Sequence, residues 1–155
     1  MFSLLLVFVF FSINVSREGA TAFAKEGIET NKLLLVIRNN LKSESKLLLV
    51  VDPVDRYEAS YSIKTYLSYY GYDDIFAYPL TRFYRNSFER RLEKQWKEWF
   101  MGRGLQDVGG LPDGIVFLDK DQSELFFYQN PTLKDSYDSI MEEGDKYDFY
   151  KRKGL

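Results

Sequence analysis

Five consecutive apolar residues, Leu47-Leu48-Leu49-Val50-Val51, end abruptly at Asp52-Pro53. Side chains alternate across a strand, so an unbroken apolar run needs cover on both faces of its sheet, as in α/β proteins. The residues that follow supply such cover. Asp55 and Glu58 make a capping-box pair. Ala59, Ile63, Tyr66, Leu67 and Tyr70 then share one helical face, and Gly71 stands where a helix end needs a left-handed residue. Residues 75–80, with Pro79 near the end, read as a second strand. Strand, helix and strand at this spacing imply a parallel pair with a right-handed crossover.

On the N-terminal side, Leu33, Leu34, Ile37 and Leu41 fit one helical face, with Thr30 or Asn31 as cap, although residues 33–37 also suit a strand. The block Lys-Leu-Leu-Leu-Val occurs at 32–36 and again at 46–50, too short a match to define a repeat. Beyond the second strand, Asn86 and Glu89 form another cap pair. Phe88, Leu92, Trp96, Trp99 and Phe100 recur behind it at helical spacing, which predicts a buried stripe, and Glu93 and Lys97 are spaced for an ion pair. Residues 109–129 read as a Gly/Pro turn, a strand at 115–118, a polar break and a second strand at 125–128, hence a β-hairpin. Leu133, Tyr137, Ile140 and Met141 suggest a last helix, and residues 146–155 a mixed aromatic and basic tail.

The apolar octet at 4–11 is short for a bilayer span, which needs about 20 residues. It reads as an export signal with Ala22-Phe23-Ala24 as a small-x-small cleavage site. Cleavage there would remove one Arg and one Glu and leave the net charge at −2. The expected organisation is a signal peptide at 1–24, a single domain at 25–145 and the tail at 146–155. The expected location is secreted or periplasmic, with no stable membrane span after cleavage. The chain contains no Cys and no His, which excludes disulfides, thiolate chemistry and His-based triads or metal sites. Chemistry is left to carboxylates, Lys, Arg, Tyr and hydroxyls.

Few of those residues form a complete constellation. Asp113 and Glu124 flank a strand as in some metal nucleases, but no Lys follows Glu124 in the required place. Asp119, Asp121 and Ser123 alternate like part of a calcium loop without its Gly or closing Glu. The basic and aromatic residues between Arg82 and Arg103 segregate to opposite helical faces, which suits a solvated helix better than a nucleic-acid platform. Glu89, Glu93 and Glu98 read as solvated mid-helix carboxylates rather than a glycosidase pair. No metal, cofactor or nucleic-acid partner is expected.

The order helix, strand, helix, strand, helix, Pro-containing loop, hairpin and helix resembles that of a thioredoxin-like domain. The segment Gly110-Leu111-Pro112-Asp113-Gly114-Ile115-Val116-Phe117-Leu118-Asp119-Lys120-Asp121 is similar to the family's cis-proline segment. The resemblance implies a three-layer α/β/α sandwich with a mixed central sheet, and a cis Leu111–Pro112 bond. The family's redox site would fall on residues 52–58, where this chain has no Cys, so the redox activity is not implied. What the resemblance does imply is a peptide-binding surface beside the proline, formed by Val54, Asp55, Tyr57, Leu111, Pro112 and Asp113. The expected function is therefore a non-catalytic exported protein-binding or assembly module with a protein or peptide partner in that compartment. The alternative is a carboxylate-dependent hydrolase that uses residues such as Asp52, Asp55, Asp113 and Glu124.

Overall fold

A computed structural model describes residues 2–53, 55–80, 86–99, 104–142 and 144–155; the side chains of 2–18, 23, 57, 93, 97 and 99 are not part of the description. The chain divides into two compact units, Met1–Lys32 and Leu33–Leu155. Helix α1 (Phe2–Asn40) accounts for the first unit and contributes its last turns to the second. The second unit then continues through β1 (Leu47–Val51), α2 (Tyr57–Tyr69), β2 (Ile75–Pro79), α3 (Ser87–Trp99) and a short 3-10 helix (Leu105–Asp107). It closes with β3 (Gly114–Phe117), α4 (Asp121–Gln129), α5 (Pro131–Lys134), β4 (Tyr137–Ser139) and β5 (Asp148–Arg152). Among the described residues no helix is long and apolar enough to cross a membrane.

The five strands form one mixed sheet in the order β2-β1-β3-β5-β4. The first three are parallel, with Leu47 opposite both Ile75 and Gly114. β5 runs antiparallel to β3, and β4 antiparallel to β5. β1 is buried along its whole length, as its composition predicts. Leu47, Leu49 and Val51 meet α1, α2 and Trp96 of α3 on one face, whereas Leu48 and Val50 meet α4 and the 3-10 helix region on the other. The molecule is thus an α/β sheet covered by helices on both sides.

Two helix boundaries follow their sequence signals. Asn86 and Glu89 exchange bonds of 3.1 and 2.9 Å between side chain and backbone N–H, a complete capping box for α3. At the end of α2, the N–H groups of Gly71 and Tyr72 donate to Ser68 O and Leu67 O, each at 3.0 Å. This double closure needs the positive φ of 85° at Gly71, which a Cβ would strain. The start of α2 differs from expectation. Its N-cap is Arg56, whose side chain makes no capping bond, and Asp55 N–H donates to Asp52 Oδ1 instead. Within the expected α3 stripe, Trp96 is wholly buried but Phe88 is exposed; Trp99 and Phe100, like the Glu93–Lys97 pair, fall outside the described side chains.

Four expectations are overturned from Pro112 onward. Residues 125–128 are not the second strand of a hairpin but the last turns of α4. The neighbouring place beside β3 is taken by β5, so this segment covers the sheet instead. Phe126 and Phe127 pack inward and Tyr128 faces solvent. The expected last helix shrinks to α5, and Tyr137 begins a strand. Residues 148–152, read as tail, form a strand between β3 and β4 and bury Phe149. Finally, no cis peptide bond occurs among the described residues, so Leu111–Pro112 is trans. The helix that follows β3 thus stands where the resemblance implies the second strand of a hairpin.

Candidate functional site

Parallel pairing of β1 and β3 separates the two halves of the expected site. Asp55 and Tyr57 follow the carboxyl end of β1, while Leu111, Pro112 and Asp113 precede the amino end of β3. At about 3.3 Å per residue, the five residues of β1 put these ends roughly 15 Å apart. Val54 lies outside the described residues, as does the side chain of Tyr57. Asp52 and Asp55 are likewise at the opposite end from Asp113, so neither converges with it; Glu124, the fourth carboxylate considered for hydrolysis, is exposed on α4.

At the amino end, the backbone of the Pro112 segment is occupied within the chain. Leu111 O accepts from Arg152 Nη1 at 2.9 Å, Pro112 O from the Tyr137 hydroxyl at 2.7 Å, and Asp113 O from Arg152 N–H at 2.9 Å. Asp113 Oδ1 pairs with Arg152 Nη2 at 2.7 Å and Asp113 Oδ2 accepts from Lys46 N–H at 2.9 Å. Burial pushes the Tyr137 hydroxyl well above the usual tyrosine range, which keeps it a donor. The carbonyls that an extended peptide would use already have partners, and Leu111 offers only its half-exposed side chain.

At the carboxyl end, the chain leaves β1 and β3 in opposite directions. α2 leads to β2 on one side and lies on one face; α4 leads toward β4 on the other side and lies on the opposite face. Ligands of open α/β sheets bind in crevices of this kind. Here the crevice is spanned by an ion pair. Arg56 Nε and Nη2 both reach Asp119, the closest contact being 2.6 Å. That hydrogen bond raises the Arg56 pKa, against partial burial. Gln122 lies in the first turn of α4 with its amide nitrogen 3.5 Å from Asp119 Oδ2 and its buried Oε1 without a hydrogen-bond partner. Among the described residues no group of three acidic side chains is placed to hold a metal ion.

A third feature was missed from the sequence. Ser60, Ile63 and Leu67 form the buried stripe of α2, with Ala59 packed beside them, whereas Tyr66 and Tyr70, assigned to that stripe, turn outward. Tyr66 is 52% exposed and Tyr69 82%. The Tyr69 and Tyr70 rings stand edge to face at 5.4 Å, and the Arg38 guanidinium of α1 lies 4.2 Å from the Tyr70 ring centre. Leu35, one turn before Arg38, is also exposed. Five tyrosines lie between residues 57 and 70, more than one buried stripe of a 13-residue helix can accommodate, and that count was the available signal.

Compared with protein-family models, curated proteins and solved structures, the chain matches none.

Proposed function

We propose that the chain is a non-catalytic, exported protein-binding or assembly module, and that its recognition surface is the tyrosine face of α2 with Leu35 and Arg38 of α1. The observation that carries this reading is the exposure of Tyr66, Tyr69 and Tyr70 beside Arg38 on one flank of two packed helices. Tyrosine and arginine are the residues that dominate protein interfaces, because each offers a large contact area together with a polar tip. The ring pair and the cation contact hold these side chains partly ordered before any partner arrives, which lowers the entropy lost on association. Export rests on the apolar segment at 4–11 and the Ala22-Phe23-Ala24 motif. The thioredoxin-like resemblance, in the order of elements and in the segment at 110–121, implies no redox role because residues 52–58 hold no Cys.

The test is site-specific photo-crosslinking in the native compartment, with the crosslinker at Tyr69 or at Tyr128. Tyr128 is equally exposed, at 84%, but belongs to α4. A defined protein adduct at Tyr69, lost on Tyr66→Ala and absent at Tyr128, is the expected result. Equal adducts at both positions, or an adduct unaffected by Tyr66→Ala, would overturn the assignment.

A further inference from the structure

Among the described residues, one buried side-chain oxygen is left without a hydrogen-bond partner, Gln122 Oε1. Gln122 is 1% exposed and sits in the first turn of α4, which begins at the crevice beyond the carboxyl ends of β1 and β3. Its Nε2 lies 3.5 Å from Asp119 Oδ2, so the amide ends against the carboxylate that Arg56 holds across that crevice. The carboxylate fixes which way round the amide stands, because a flipped Gln122 would set two acceptors against each other. The atom left over is therefore an acceptor, and only an N–H or O–H donor matches it.

The charge around it narrows the class of donor. The segments that leave β1 and β3, residues 52–56 and 119–122, carry four aspartates against Arg56 and Lys120. Lys120 Nζ is turned to Glu142 O at 3.3 Å. Such an excess of negative charge disfavours anions and favours a cation with N–H groups. Arg56 shows the seating of one. Its Nε at 3.1 Å and Nη2 at 2.6 Å both reach the Asp119 carboxylate, as a planar guanidinium does when it meets two oxygens side-on. This internal pair satisfies Asp119 but leaves Gln122 Oε1 unmatched. It is also weakly held, since 32% of the Arg56 side chain and 28% of the Asp119 side chain remain exposed.

We propose that Asp119 and Gln122 form a binding site for a small guanidinium compound, which Arg56 plugs in the free protein. The incoming guanidinium takes over the Asp119 carboxylate, turns a further N–H to Gln122 Oε1 and releases Arg56 to solvent. No covalent bond changes. An alkylammonium matches this pair of acceptors less well, because its donors radiate from one nitrogen. The site is separate from the tyrosine face of α2 and does not depend on it.

The test titrates the full chain with methylguanidinium chloride, against sodium chloride at equal ionic strength. The Gln122 side-chain amide and the Arg56 Nε–H are followed by NMR. Both are expected to shift with one saturable midpoint while the Tyr69 amide stays unmoved. Gln122→Met is expected to fold normally and weaken binding about tenfold, through the lost hydrogen bond to a charged donor. Arg56→Ala is expected to tighten binding about threefold, since a competing surface pair is gone, which a merely structural Arg56 would not do. Shifts reproduced by sodium chloride, equal affinity for methylammonium, or unchanged affinity in Arg56→Ala would overturn the proposal. So would tighter binding of N-acetyl-arginine methylamide than of methylguanidinium, which would assign the site to an arginine of another protein.

Discussion

Gly114 and Phe149 give the sharpest check on the sheet, because they couple β3 to a strand that the sequence disguises. A Cβ added at Gly114 would stand 2.7 Å from Phe149 Cε2, 2.8 Å from Leu41 Cδ1 and 3.0 Å from Leu47 Cδ2. Carbon contacts are comfortable at about 3.5–4.0 Å, so all three neighbours would have to move. Two effects of Gly114→Ala then compete. Replacing Gly within a strand gains roughly 0.5–1 kcal/mol through backbone entropy. Overpacking a filled core costs about 1–3 kcal/mol. The clash is with rings and branched side chains buried on every side, so the cost is expected to win. Phe149→Ala alone should cost about 3–5 kcal/mol, because the ring is wholly buried. With Phe149 already truncated, Gly114→Ala meets only the two leucines and should cost on the order of 1 kcal/mol less than in the parent. Urea unfolding followed by the fluorescence of Trp96 would read this cycle. Net of the entropy gain, and at a slope of about 2 kcal/mol per molar, the single Gly variant should lower the midpoint by up to about 1 M. Costs that add within about 0.3 kcal/mol, or a Gly114→Ala variant more stable than the parent, would refute the packing of β5 against β3.

Three further outcomes follow from other contacts. Asp119→Asn should cost about 0.5–1 kcal/mol, because both partners of the Arg56 pair keep about a third of their side-chain surface in water. The loss should shrink when the unfolding curves are repeated at high salt. Asn86→Ala should cost about 1 kcal/mol through the opened capping box, and adding Glu89→Ala should add less than the same change does alone, which thermal unfolding of the four proteins would resolve. Gln122→Met should be neutral or stabilising, since it removes a buried oxygen that has no partner. A loss above about 1.5 kcal/mol in chemical denaturation would mean that Oε1 is hydrogen-bonded in solution.

What the sequence revealed and what it hid divide along a physical line. β1, α2, β2 and the start of α3 are written in local chemistry: a run of aliphatic residues, a Gly at a helix end, an Asn and a Glu three residues apart. Such signals act within a few residues. β5 has no comparable mark, because Asp148-Phe149-Tyr150-Lys151-Arg152 is rich in polar and charged residues. Only the alternation of Tyr147 and Phe149 toward one face shows its period, and its place in the sheet depends on β3, more than thirty residues earlier. α4 was misread for the opposite reason. Four apolar residues in succession carry neither a two- nor a 3.6-residue period. The site suffered most, since whether residues 54–57 lie near 111–113 depends wholly on the direction of β3. That direction is fixed by pairing across the sheet rather than by any residue beside Pro112.

The strand order also sets a timetable for folding. β5 is inserted between β3 and β4, although it follows both in the chain. Until residue 152 has been synthesised, β3 presents an unpaired edge and β4 has no neighbour among the described strands. The parallel half alone would be an open, aggregation-prone fragment built from distant pairings. A nascent chain shorter than this therefore cannot close its sheet.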